Sequence, residues 1–128
     1  MRLNPDCIRD ILLTVEEKTA YMKRWTILSD ASTTIPRLQE YSQDELNYHI
    51  RQCLNFNYIM GTEGLGGAFK IDDLTFSGHN FLADIRKDTN WNKTKEIAGN
   101  VGSYSLDILS NIAKNVVTAL VLDKFKWF

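Results

Sequence analysis

The chain is short of several things. Among 128 residues there are two prolines, two cysteines and no surplus of either charge, with 15 basic and 16 acidic side chains giving a net charge of −1. No apolar run approaches the ~18 residues that a membrane span requires. The opening MRLNPDCIRD has no apolar signal core. Cys7 and Cys53 fall on separate predicted helices without paired spacing, which points to buried thiols in a reducing compartment rather than a disulfide framework. These absences lead to the expectation of a cytoplasmic, soluble protein without membrane contact. The missing basic surplus also matters. Neutralising phosphates and releasing counterions drives nucleic-acid binding, so any DNA face must be a local patch.

What is present is a sequence of well-punctuated segments. Asn4 before Pro5 is a helix start: Asn caps free amides, and Pro loses nothing at the first helical position. Leu3 and Ile8 have the spacing of a hydrophobic staple. Ile8, Ile11, Leu12 and Val15 make one buried stripe, and the helix should fade near Glu17. Lys18–Glu40 is the least legible stretch. Trp25–Leu28 reads as a short strand, Ser29–Thr34 as polar turn, and Pro36 disfavours helix at Ile35.

Tyr41–Gly61 is the most informative segment. Ser42 and Glu45 form a capping box, with Tyr41 and Leu46 as a staple. Leu46, Ile50, Cys53 and Leu54 form the inward stripe; Asp44, Asn47, Tyr48, Arg51 and Asn55 face outward. Tyr58-Ile59-Met60 reads as a strand, and Gly61–Gly67, with four of the seven glycines, as a flexible hairpin tip. Ala68–Leu74 returns as the second strand. Thr75 caps a helix running toward Ala98, with a break near Asp88–Asn90, and Gly99 and Gly102 end it. Ser103 begins a long terminal helix. The fold class expected is α+β, mostly helical: a winged helix-turn-helix-like domain over residues 1–100, with a two-stranded β-hairpin wing, followed by a packing or dimerisation helix over 103–128.

Three segments, LNPDCIRDILLTVEE at 3–17, YSQDELNYHI at 41–50 and LTFSGHNFLADIRKDTNWNKTKEIA at 74–98, together resemble the domain-of-unknown-function family numbered twenty-five thirteen. That resemblance implies a winged-helix-like fold in a short protein of the kind common in phages, prophages and mobile elements of Gram-positive bacteria. It implies no activity and no catalytic residues.

If the helix after Ser42 reads DNA, Asn47, Tyr48, Arg51 and Gln52 are the side chains that could do so, with Lys70 on the wing. Arg bonds guanine bidentately, and Asn or Gln bonds adenine. Asp44 and Glu45 on the first turn would be repelled by phosphate, and the wing tip carries no base. The plainer reading is a solvated helix face. His49 and Cys53 are four apart, a spacing that can hold a metal, but two ligands do not make a site. No metal, cofactor or catalytic group is expected, and His49 reads as a half-buried structural residue. Arg86, Lys87, Lys93 and Lys95 form the densest basic cluster, interleaved with Asp84, Asp88 and Glu96. Trp91 within it reads as a buried anchor.

The terminal helix has a wide apolar face, with Leu109, Ile112, Val116 and Leu120 as candidate dimer or partner contacts. Phe125-Lys126-Trp127-Phe128 has an interfacial look. The expected function is that of a DNA-binding transcriptional regulator acting as a homodimer on double-stranded DNA. The alternative is a protein-binding module, an inhibitor or adaptor that meets a host protein.

Overall fold

A computed structural model describes residues 1–126; Trp127 and Phe128, part of the apolar chain end noted above, lie outside the described residues. The chain divides into two compact units, residues 1–79 and 80–128.

In the first unit, α1 spans Pro5–Lys18, and the Asn4 side chain accepts the Asp6 amide at its start. Its stripe, Cys7, Ile8, Ile11, Leu12 and Val15, is fully enclosed. A tight bridge between Ala20 and Lys23 follows, with Met22 in the left-handed region. It leads into β1, Trp25–Leu28. The supposed turn at Ser29–Thr34 contains one helical turn, α2, Ala31–Thr34. The Asp30 carbonyl nucleates it by accepting both the amides and the hydroxyls of Thr33 and Thr34. Ile35 is extended ahead of Pro36, as the proline ring demands. A 3-10 turn, Pro36–Leu38, then buries Leu38.

Helix α3, Gln43–Asn55, carries the complete capping box at Ser42 and Glu45. Leu46, Ile50 and Cys53 are sealed against α1 and the sheet, while Leu54 is only partly covered. The helix ends in a Schellman motif: Asn57, at φ 64, lets the Tyr58 amide reach the Cys53 carbonyl and its own amide reach Leu54.

The two-stranded wing needs correction. Strands β2, Ile59–Glu63, and β3, Ala68–Leu74, are joined by β1 in a three-stranded antiparallel sheet of order β1-β3-β2. Trp25 pairs with Ile71 and Ile27 with Phe69, so the inward residues of β1 and β3 share one face. Gly61, Thr62 and Glu63, placed by sequence in a flexible tip, belong to β2 after a bulge at Met60/Gly61. The tip itself is a 3-10 turn, Leu65–Gly67.

Thr75 leads into α4, Phe76–Ile85, its hydroxyl accepting the Gly78 amide and donating to the Asn57 carbonyl. Gly78 is obligatory, since a Cβ there would sit 2.0 Å from the Tyr58 carbonyl oxygen.

Helix α4 runs on into the second unit. The break falls at Arg86–Lys87, slightly before the expected Asp88–Asn90, and α5 spans Asp88–Val101. Gly99 lies inside α5; Gly102 alone terminates it, at φ 86. Ser105 rather than Ser103 caps α6, Leu106–Phe125, by accepting the Ile108 amide. Phe81, Leu82, Ile85, Trp91, Ala98, Leu106, Leu109 and Ala113 are buried apolar residues of this unit. No helix among the described residues is long and apolar enough to cross a membrane.

Candidate interaction face on α3 and the β2–β3 turn

Helix α3 is bound to the rest of its unit by polar ties on both flanks. On one side, Gln43 accepts the Ser32 amide through Oε1 and donates through Nε2 to Asn47 Oδ1, at 3.1 and 2.9 Å. The Asn47 amide lies so close to Gly67 that a Cβ there would be 2.5 Å from Nδ2. Ser29, itself in the left-handed region, donates its hydroxyl to the Gly66 carbonyl at 2.8 Å. On the other side, Arg51 forms a fork with Glu63 of β2, Nε to Oε1 at 2.9 Å and Nη2 to Oε2 at 2.6 Å. The pairing holds the Arg51 guanidinium above and the Glu63 carboxyl below their ordinary pKa values, chiefly through those hydrogen bonds. Helix and turn are therefore presented as one braced face.

The five residues expected to read DNA do not form a free basic set. Asn47 is used in the brace, and Arg51 is engaged by a carboxylate. Tyr48 is half-buried with its ring edge-on to His49 at 5.1 Å, and Gln52 is half-buried. Lys70 is exposed on the outer face of the sheet, flanked across the strands by Thr26 and Thr62. Sequence reasoning missed Glu63 as the partner of Arg51. The turn tip is apolar, with Leu65 96% exposed. Residues 1–79 hold eight basic and eleven acidic side chains, a net −3, and residues 80–128 hold seven and five, a net +2.

His49 is more deeply placed than the half-burial expected. It is wholly enclosed, and both ring nitrogens are committed. Nε2 accepts the Asn4 amide at 2.7 Å, which leaves Nδ1 as the donor to the Glu45 carbonyl, also at 2.7 Å. Neither nitrogen is left for a metal or a thiol. Burial pushes the Cys7 thiol up to about 12, with Glu45, Asp10 and Glu40 adding to the shift, and burial also raises Cys53. Both thiols are held in the unreactive protonated form.

In the second unit, Lys95 stands 5.5 Å over the buried Trp91 ring and Lys93 lies 4.0 Å from Glu96, so these two members of the basic cluster have local partners. Of the four apolar residues named on α6, Leu109 faces the interior, Ile112 and Val116 are half-buried, and Leu120 is half-exposed. Ile112, Val116 and Leu120 line a groove of about 500 Å³ between α5 and α6, with Ile97 and Ala119 and with Lys93 and Asp123 on its rim.

The profile of a family described as "Hypothetical protein (DUF2513)" matches residues 2–104. The chain belongs to this family. The match takes in the first unit from residue 2 onward and ends just before α6. The chain is also similar to an "Uncharacterized protein" of Haemophilus influenzae, 28% identical over 125 residues that cover 94% of this chain and 99% of the relative. No solved structure matches.

Proposed function

We propose that residues 1–79 form a winged-helix module whose α3 and β2–β3 turn bind another protein rather than DNA, as an inhibitor or adaptor of phage or prophage type would. The order α1-β1-α2-α3-β2-β3, with β1 against β3, supports the winged-helix assignment. One observation carries the choice of ligand: the arginine expected to read DNA is held in a fork by the glutamate of the wing. Asp44 and Glu45 on the first turn and the net −3 of the unit point the same way, because a surface of that sign repels a polyanion. The braced backbone and the exposed Leu65 suit a preformed protein-binding face, which spares ordering entropy on association.

The test has two arms. Fluorescence anisotropy with a short random-sequence duplex at low salt should show no binding. A photoreactive residue in place of Tyr48 should trap a protein in the producing cell, and Asp44→Lys should abolish that adduct. Duplex binding that falls steeply with salt, or adducts to DNA alone, would overturn the reading.

A DNA reading keeps one observation in its favour. Lys70 stands between two threonines on the sheet's outer face, a suitable phosphate contact. On that reading Glu63 competes with DNA for Arg51. Glu63→Gln should then increase duplex affinity, and Arg51→Ala should weaken it by ~1–3 kcal/mol.

A further inference from the structure

The α5–α6 hairpin presents a recess and a projection that suit each other. Helix α6 has 20 residues and α5 has 14. They are joined by a short link, so about 9 Å of α6 runs past its neighbour at ~1.5 Å per residue. On this projecting part Leu120, Val121 and Leu122 are 50, 46 and 60% exposed. Three consecutive helical residues fan over more than half the circumference, so one neighbouring helix cannot cover them all. Beside them lies the apolar groove of about 500 Å³, lined by Ile97, Ile112, Val116 and Ala119.

We propose that two copies of the chain associate through this hairpin about a twofold axis near Leu120, each α6 projection filling the α5–α6 groove of the other.

The rim charges favour a second copy over an unrelated occupant. Lys93 and Asp123 border the same groove as Leu120. Each has a long, solvent-exposed partner three residues further along the chain, Glu96 at 4.0 Å and Lys126 at 3.9 Å, and such pairs contribute little and are readily exchanged. A twofold there carries each Asp123 back toward the other copy's Val116 and so toward its Lys93. One cation and one anion at each rim make the surface complementary to itself, as an isologous contact requires. A lipid surface fits less well, since Asp123 lies within the apolar projection. The inference is independent of what residues 1–79 bind.

The test uses the full chain in sedimentation equilibrium. The wild type should be a dimer. Leu120→Glu should sediment as a monomer with unchanged far-ultraviolet circular dichroism. Lys93→Glu places two like-charge pairs across the axis, and Asp123→Lys does the same with the opposite sign. Each alone should weaken the dimer on the order of tenfold. Mixing the two variants should restore a heterodimer, because Glu at 93 then faces Lys at 123 while the native pair survives on the other side. That rescue separates the proposal from any loss of fold within one chain. A wild type that stays monomeric, a dimer indifferent to Leu120→Glu, or a mixture no tighter than its components would overturn it. Binding of the wild type to anionic vesicles as a monomer would do so as well.

Discussion

Helices α3 and α6 begin alike. Ser42 accepts the Glu45 amide and Ser105 the Ile108 amide, each closing the first turn of an amphipathic helix. They differ in what covers the apolar side. Helix α3 has α1 on one flank and β2 on the other, and Leu46, Ile50 and Cys53 are wholly enclosed. Helix α6 has α5 against its first half, which encloses Leu109 and Ala113, while the second half carries half-exposed Leu120 and Val121. A periodic stripe specifies that a face wants burial; it does not specify which element supplies the other side.

The sharpest way to break this comparison is a matched pair of truncations. Leu46→Ala removes three heavy atoms from a sealed core and should cost about 3 kcal/mol in urea unfolding. Leu120→Ala, measured under dilute, monomeric conditions, should stay within about 0.5 kcal/mol of wild type. Equal costs would mean that α6 is covered within its own chain after all.

His49→Ala sharpens the same contrast with a polar group. It empties a fully buried ring site and leaves the backbone amide of Asn4, the residue that caps α1, without its acceptor. The expected loss is about 2–3 kcal/mol. A loss below half of that would show that water or a shifted Asn4 replaces the ring.

How much of this was legible beforehand differs along the chain. Asn4-Pro5, Ser42 with Glu45, and Thr75 act on amides and carbonyls a few residues away, so their roles follow from local chemistry, and each appears as expected. Strand β1 was visible as Trp25–Leu28, but its partners on β3 lie 40 or more positions away in sequence and leave no local mark. Glu63 was hidden for the same reason. Read in sequence it is a polar residue beside glycines; only the bulge at Met60/Gly61 and the return of β2 along α3 bring it under Arg51. Helix α2 escaped because its nucleus is one carbonyl, that of Asp30, and no periodicity can register over four residues. The outward face of α3 was correctly expected, yet outward did not mean free, since Asn47 accepts from Gln43 and abuts Gly67 while Arg51 is held by Glu63 of β2.

Two glycines at positive φ extend the comparison to the backbone. Gly67, at φ 79, abuts Asn47 in the α3 brace, whereas Gly102, at φ 86, ends α5 in open space. Alanine at either position meets the left-handed penalty of about 1 kcal/mol. Gly67→Ala must also displace the Asn47 amide, so its cost should reach about 2 kcal/mol while Gly102→Ala stays near 1. Thermal melts of the two variants measure the difference, and a Gly67→Ala no worse than Gly102→Ala would mean that the brace yields freely.

The smallest effect is a pH dependence that belongs to the first unit. Tyr41 donates its hydroxyl to Asp10 Oδ2 at 2.7 Å. Burial nonetheless raises the Asp10 carboxyl above its usual 3.8, outweighing that hydrogen bond and the nearby Arg37 and Arg9. A raised acid binds its proton more tightly when folded, so stability falls as pH climbs from about 3.8 to the folded value and is level beyond it. Glu17 acts oppositely. Its fork with Arg37 lowers its pKa below 4.5, and the stability it adds is present above that value and lost as pH drops through the folded one. Asp10→Asn keeps an oxygen for Tyr41 and removes the charge. Its advantage over wild type should be absent in acid, appear as pH rises past about 4, and level off near neutrality. The gain should be on the order of 0.5 kcal/mol, since the site remains partly solvated and screened. An advantage that instead grew toward acid pH would show that the hydrogen bond, not desolvation, governs Asp10.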